Sequence, residues 1–280
     1  MEQRMFEAFS VSMCVYGGDN PEWFKTAVNS ILNQSVRPSE VVLVVDGPVP
    51  KPLDSVVTEY EALPCFKVIR LPQNKGHGEA RRIGLENCSN NLVALMDADD
   101  ISMPDRFSQQ MALFERYPEV SIVGGQISEF LGEETNIVGY RSVERNNSEI
   151  CEDLRKRCPM NQMTVMFRKE DVLSAGGYLD WYCNEDYYLW VRMFLKGMKF
   201  ANTDSVLVNV RVSEDMYKRR GGWKYFVSEW KLQNYMLVNK VIDPVTYCIN
   251  VAKRLVVQVL LPNQLRAYVF QKFARKTDVQ

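Results

Sequence analysis

Short, wholly apolar runs alternate with stretches of three-to-four-residue apolar spacing over roughly the first hundred residues. Ser10 to Tyr16 is a mostly apolar run halted by Gly17-Gly18, which predicts a strand and a turn. Asp19 or Asn20 then caps a helix that carries Pro21 in its first turn. Its apolar face is Trp23, Phe24, Ala27, Val28, Ile31 and Leu32. Glu40 to Val45 is a second apolar strand, ending at Asp46-Gly47-Pro48. Val56 to Leu63 is a weaker helix and Phe66 to Leu71 a third strand. Asn74 to Leu85 is a glycine-bearing loop running into a helix. Leu92 to Met96 is a fourth strand. Strands without polar alternation, separated by helices, predict an α/β fold with a mostly parallel central sheet covered on both faces.

The second half is less regular. A helix is expected from Pro104 to about Pro118, and a strand and turn at Val120 to Gly125. Residues 126 to 147 read as a polar hairpin, and Met163 to Phe167 as a strand. A helix opens at Asn184-Glu185-Asp186, and Ser205 to Val212 is a last strand. From Glu214 the chain becomes aromatic and basic, with helical spacing only. The expected organisation is therefore an α/β domain over residues 1–213 and a helical extension over 214–280.

Polar residues fall where this fold would place a site. Tyr16, Asp46 and the cluster Asp97-Ala98-Asp99-Asp100 each lie just past the carboxyl end of a strand, where open α/β sheets bind ligands. Three carboxylates in four positions repel one another unless a cation or hydrogen-bond donors neutralise them. Hard oxygen ligands suit Mg²⁺ or Mn²⁺. The head of the helix at Glu185-Asp186 favours an ionised carboxylate through the helix dipole, and such a group can serve as a general base.

Composition narrows the classes. The 280 residues carry a formal net charge of -1, so there is no basic field for nucleic acid. The seven cysteines are scattered without a CxxC pair, as expected of reduced thiols in a cytosol. His77 is the single histidine, which disfavours a histidine-rich metal centre or a Ser-His-Asp triad. The start, Met1-Glu2-Gln3-Arg4, lacks the apolar core of a signal peptide, and no apolar run nears the roughly 18 residues of a membrane span.

The pattern resembles the family 2 glycosyltransferases of GT-A fold over roughly residues 9 to 212. The resemblance is carried by Val11 to Tyr16, Ile31-Leu32-Asn33-Gln34-Ser35, Val44-Val45-Asp46-Gly47 and Asn74-Lys75-Gly76 with Ala80 to Leu85. Asp97-Ala98-Asp99-Asp100 and Glu185-Asp186 before Leu189-Trp190 complete it. The resemblance implies that Tyr16 and Asp46 hold the uracil of a UDP-sugar and that Arg81 helps bind the nucleotide. Asp97 would approach the ribose or the metal's water shell, Asp99 would coordinate Mn²⁺ or Mg²⁺, and Asp100 would touch the donor sugar or the metal's outer shell. Asp186 would be the base that deprotonates the acceptor, with Glu185 as the lesser candidate. Related sequences often carry a histidine where this chain has Gln162. The reaction implied is inverting transfer to a lipid-linked saccharide at the cytoplasmic face of a bacterial membrane, in polysaccharide assembly.

Two further signals lie near the end. Arg211, Lys218, Arg219, Arg220 and Gly221-Gly222 form a basic, glycine-ended cluster that can close over phosphates. Residues 244–280 hold six basic residues against one acidic, a net of +5, interleaved with apolar residues such as Leu255 to Leu261. That mixture fits helices lying on an anionic membrane surface, or a helix pair packed on the catalytic domain. A sugar nucleotidyltransferase also uses an acidic strand tip. It would need basic residues after the first strand, where Gly17-Gly18-Asp19-Asn20-Pro21 offers none. A nucleotide-binding, membrane-associated protein without turnover is the non-enzymatic alternative.

Overall fold

The computed structural model describes residues 7–213 and 221–262. Its first half follows the apolar pattern. Strands β1 (Phe9–Tyr16), β2 (Glu40–Asp46), β3 (Phe66–Arg70) and β4 (Leu92–Met96) alternate with helices α1 (Pro21–Leu32), α2 (Lys51–Glu61) and α3 (His77–Asn87). Among themselves these four strands pair in parallel, in the order β3-β2-β1-β4. Asn20, and not Asp19, caps α1: its side-chain oxygen accepts from the Glu22 and Trp23 N–H groups at 2.9 and 3.3 Å. Asp19 instead accepts from the Tyr16 N–H at 2.9 Å, which closes the turn after β1. Helix α3 lies against the sheet at Gly84, where a Cβ would come within 2.5 Å of Ser12 Oγ. Any larger residue there would push the helix off β1.

The second half makes the sheet mixed. After the two-residue strand β5 (Ile101–Ser102) come α4 (Arg106–Arg116), β6 (Val120–Phe130), β7 (Ile137–Arg141) and α5 (Asn147–Leu154). Then follow β8 (Met166–Arg168), α6 (Lys169–Ser174), α7 (Glu185–Leu195) and β9 (Lys199–Arg211). The nine strands run β3-β2-β1-β4-β8-β6-β9-β5, with β7 on β6. The β4–β8, β6–β8, β5–β9 and β6–β7 pairings are antiparallel, whereas β6–β9 is parallel. No turn forms at Gly124-Gly125, because β6 runs straight through both. A Cβ on Gly125 would meet Thr203 Oγ1 at 2.5 Å, so these glycines serve the close approach of β9. The strand expected at Met163 begins later. Gln162–Thr164 is a 3₁₀ turn and β8 starts at Met166. Helix α5 starts where the expected hairpin of residues 126 to 147 ends, in a stretch for which the pattern predicts no element.

Two cores sandwich the sheet. One packs α1, α2 and α4 on Phe9, Val11, Met13, Leu43 and Met96. The other is built around Trp190, Tyr187 and Leu189 of α7 with Val93, Leu95 and Phe167. After residue 221, α8 (Trp223–Val238) shares that second core through Leu232 and Met236, the link to α9 (Pro244–Leu255) through Val241 and Ile242, and α9 packs Tyr247 against it. In packing, the described part of the extension is continuous with the catalytic domain.

Candidate active site

Four elements meet beyond the carboxyl edge of the parallel strands: the tip of β4, the head of α3, the head of α7 and the end of β9. Asp97 directly follows β4 and forms an ion pair with Arg81 Nη2. Arg81 is only 1% exposed. Its Nη1 also donates to the carbonyls of Ser12 at 3.2 Å and Met96 at 3.4 Å, which ties the middle of β1 to the end of β4. The guanidinium expected to reach the nucleotide is thus placed behind Asp97, out of contact with the open cleft. A fully buried cation needs this set of acceptors to be stable.

The acidic tip is crowded. Loss of surrounding water, and then the charges of Asp97 and Asp19, push Asp99 up to about 6. Burial, and then Asp99 and Asp97, push the buried Asp100 well above the usual carboxylate range. Asp19, across the β1 turn, is lifted to about 6 by burial, with Asp97 adding to it. Beneath them Arg106 is wholly buried, and among the described residues it forms no ion pair with a carboxylate, though the charges of Asp97 and Asp100 favour it. It donates to the Leu95 carbonyl at 2.7 Å, and burial pulls it down to about 9. Carboxylates lifted by burial and, after it, by one another's charge favour a cation, because the cation relieves both costs. Among the described residues no three such ligands close into a complete cage. The donor set fits an ion held by one or two carboxylates, with the remaining positions filled by water or phosphate oxygens.

Arg211 ends β9 over this tip. Its backbone N–H donates to Asp100 Oδ1 at 2.9 Å and its Nε to the Asp99 carbonyl at 3.3 Å. The guanidinium lies 4.5 Å from both the Trp23 and the Phe130 ring centroids. Sequence reading placed Arg211 only within a basic cluster; its packing between two rings comes from β9 pairing alongside β6, which no local pattern shows.

Tyr16, at the end of β1, is 49% exposed and faces open solvent. Asp46, at the end of β2, is buried. Its two oxygens accept from the Lys75 N–H at 2.7 Å and the Gly76 N–H at 3.0 Å, so it shapes the loop leading into α3. Arg219 and Arg220 lie outside the described residues.

Glu185 and Asp186 form the first turn of α7. Asp186 Oδ1 accepts from the Tyr187 N–H at 2.6 Å, and the Cys158 thiol donates to Oδ2 at 3.7 Å. Burial, then the neighbouring Glu185 charge, lifts Asp186 to about 6. A carboxyl at that value is still mostly ionised at neutral pH and is more basic than a free aspartate. Glu185 turns to α3 and contacts His77 Nδ1 at 2.9 Å. His77, expected in the loop, is the first residue of α3. Its other ring nitrogen accepts from Arg81 Nε at 3.3 Å. Sequence spacing offered no sign of this bridge, since its ends are 108 residues apart. It ties the head of α7 to Arg81 and through it to Asp97.

Comparison with known proteins agrees with this architecture. The sequence model of Glycosyl transferase family 2 matches residues 10–172, and that of Glycosyl transferase family group 2 matches residues 92–270. An uncharacterized glycosyltransferase of Haemophilus influenzae is 39% identical over 272 residues, which cover 96% of this chain and 99% of that protein. A UDP-Gal:alpha-D-GlcNAc-diphosphoundecaprenol beta-1,3-galactosyltransferase of Escherichia coli is 34% identical over 268 residues, 96% of this chain and 97% of that one. The crystal structure of S. aureus TarS 1-349 in complex with UDP-GlcNAc superposes with a TM-score of 0.65 at 15% identity, over 89% of this chain and 73% of that chain. At that identity the likeness is one of fold. On sequence and architecture together, the chain is a glycosyltransferase and belongs to glycosyl transferase family 2, with the GT-A fold.

Proposed function

We propose that the protein transfers a sugar from a UDP-sugar to a lipid-diphosphate-linked saccharide, inverting the anomeric carbon, as a step in building a cell-surface polysaccharide. One observation carries this reading. Asp186, lifted to about 6, stands at the head of a helix tied through Glu185, His77 and Arg81 to the acidic strand tip. On this reading the base and the cation-binding tip serve one cleft. The Escherichia coli relative named above acts, by its name, on a UDP-sugar and a diphospholipid-linked GlcNAc, which supports the choice of both substrates.

In this reading the exposed Tyr16 ring stacks on uracil, beside the loop that Asp46 shapes. Asp99 and Asp97 would hold Mn²⁺ or Mg²⁺, with Asp100 and Arg211 framing the tip. When bound, that ion offsets the charge that grows on the leaving UDP. Asp186 accepts the proton of the acceptor hydroxyl, which attacks the anomeric carbon from the face opposite the diphosphate. The Tyr187 N–H and the Cys158 thiol hold the carboxylate in place for that transfer.

The membrane part rests on α9. Val245, Cys248, Ile249 and Ala252, with Val256 just past the helix end, are exposed at helical spacing, with Lys253 beside them, while Asn250 faces inward. Such a stripe, followed in sequence by the basic residues Arg266, Lys272, Arg275 and Lys276, suits peripheral binding to an anionic membrane at its cytoplasmic face. Among the described residues no helix is long and apolar enough to cross a membrane.

UDP release tests the proposal, using UDP-Gal first and then UDP-GlcNAc and UDP-Glc, with Mn²⁺ and a GlcNAc-diphospholipid acceptor. Turnover should fall by about 10²-fold or more in Asp186→Asn, and the product linkage should be inverted by NMR. A retained anomeric configuration, or an active Asp186→Asn, would refute it.

A further inference from the structure

We propose that His77 is a positioning residue for the transfer reaction: as a neutral imidazole protonated on Nδ1, it braces Glu185 against α3 and so fixes the helix that presents Asp186. The proposal rests on the transfer reading above.

Its basis is the direction of each hydrogen bond. Arg81 Nε carries a hydrogen and has no lone pair, so it can only donate to His77 Nε2, 3.3 Å away. Nε2 must then be the bare nitrogen. The proton of the neutral ring therefore sits on Nδ1, where it meets Glu185 Oε1 at 2.9 Å. Free imidazole side chains favour the other tautomer, so the surroundings select this one. The bridge continues from Arg81 to Asp97. Four side chains from three elements thus join the base helix to the strand tip.

The bridge has a directional consequence. Two adjacent carboxylates open α7, and either could meet an acceptor hydroxyl. With Glu185 drawn to α3, only Asp186 is left to take the proton. Without the bridge, the first turn of α7 would be held by Asn184, whose Nδ2 donates to Ser228 Oγ at 3.2 Å, and by the packing of Tyr187. A displacement of about 1 Å at a reacting group can lower a rate by about 100-fold. His77 is itself half-exposed, so replacing it leaves the core intact.

The chain has one histidine, which makes its ring visible alone. In tag-free protein labelled with ¹⁵N-histidine at pH 7.5, the imidazole shifts should report a protonated Nδ1 and a bare Nε2. The reverse tautomer, or a doubly protonated ring, overturns the proposal. In kinetics, His77→Ala should lower kcat by about 10- to 100-fold while donor KM stays within about threefold. His77→Asn keeps an N–H near the Nδ1 position and should recover most of kcat, whereas His77→Gln should not. The double variant His77→Ala/Glu185→Ala should be no slower than Glu185→Ala alone, because one contact is being removed twice. Additive losses, an unchanged kcat, or a donor KM that rises in step with the loss would each overturn it. A wild-type protein that releases no UDP would sink the transfer reading and the role with it. An active wild type with an equally active His77→Ala would sink the His77 proposal alone.

Discussion

The acid limb of the pH–rate profile is the sharpest test of Asp186. A base must be ionised to work, and Asp186 is raised from 3.8 to about 6 by burial and by Glu185. The ionised fraction then falls from about nine-tenths at pH 7 to about one-tenth at pH 5, so kcat should drop about tenfold over those two units. An unperturbed aspartate would stay mostly ionised at pH 5 and leave the rate flat. The measurement is kcat at saturating donor, acceptor and Mn²⁺, so that the limb reports the loaded complex. Two substitutions fix the sign. Glu185→Gln removes a negative neighbour and should move the limb to lower pH. Cys158→Ala removes the thiol that donates to Asp186 Oδ2 at 3.7 Å and should move it higher. A midpoint below pH 5, or shifts of the opposite sign, would show that another group limits the rate.

Three further outcomes are expected. Asp100 is buried and held well above its ordinary value, so its folded form binds a proton more tightly than its unfolded form. That contribution is present at low pH and is lost as pH rises through the folded value, so metal-free Asp100→Asn should melt a few °C above wild type at pH 7.5. Asn keeps the acceptor for the Arg211 N–H, and a lowered Tm in calorimetry would contradict the argument. Gly84→Ala drives a Cβ to 2.5 Å from Ser12 Oγ and should destabilise by about 1–3 kcal/mol in urea unfolding. An unchanged midpoint would mean that α3 can shift freely. Ile249→Glu with Val256→Glu places charges on the exposed stripe of α9 and the turn that follows it, where Ile249 is 47% and Val256 46% exposed. Flotation with anionic liposomes should fall severalfold without loss of Tm, and equal flotation would remove the membrane role of α9.

What the sequence disclosed divides along a physical line. Where one residue's neighbours in the chain decide its state, the pattern was readable. The four apolar strands β1 to β4, the Asn20-Pro21 helix start and the acidic tip after β4 all follow from local runs. Where the partner lies far along the chain, it was not. The strand β8 enters the sheet between β4 and β6, and a three-residue run ending in Arg168 carries no signal of that place. Gly124-Gly125 looks like a turn until β9 arrives beside it. The bridge from Glu185 to His77 and the packing of Arg211 between Trp23 and Phe130 are tertiary in the same sense.

Arg81 is where the two kinds of information give opposite expectations. The family pattern places this arginine on the nucleotide. In that case Arg81→Met would raise donor KM and leave the fold untouched. The structure has it 1% exposed, paired with Asp97 and donating to two backbone carbonyls. Removing it leaves Asp97 without its counter-ion and the Ser12 and Met96 carbonyls without this donor. Breaking such a buried pair from one side destabilises by about 3 kcal/mol or more. For a chain of this size that lowers Tm by about 6–12 °C. The penalty comes mostly from the stranded carboxylate, so Asp97→Asn added to Arg81→Met should restore part of the Tm while activity stays lost. Arg81→Lys should not rescue, because a single ammonium cannot span Asp97, Ser12 and Met96 together. A variant Arg81→Met with wild-type Tm and a raised donor KM would return the arginine to the nucleotide and remove it from the frame that holds the strand tip.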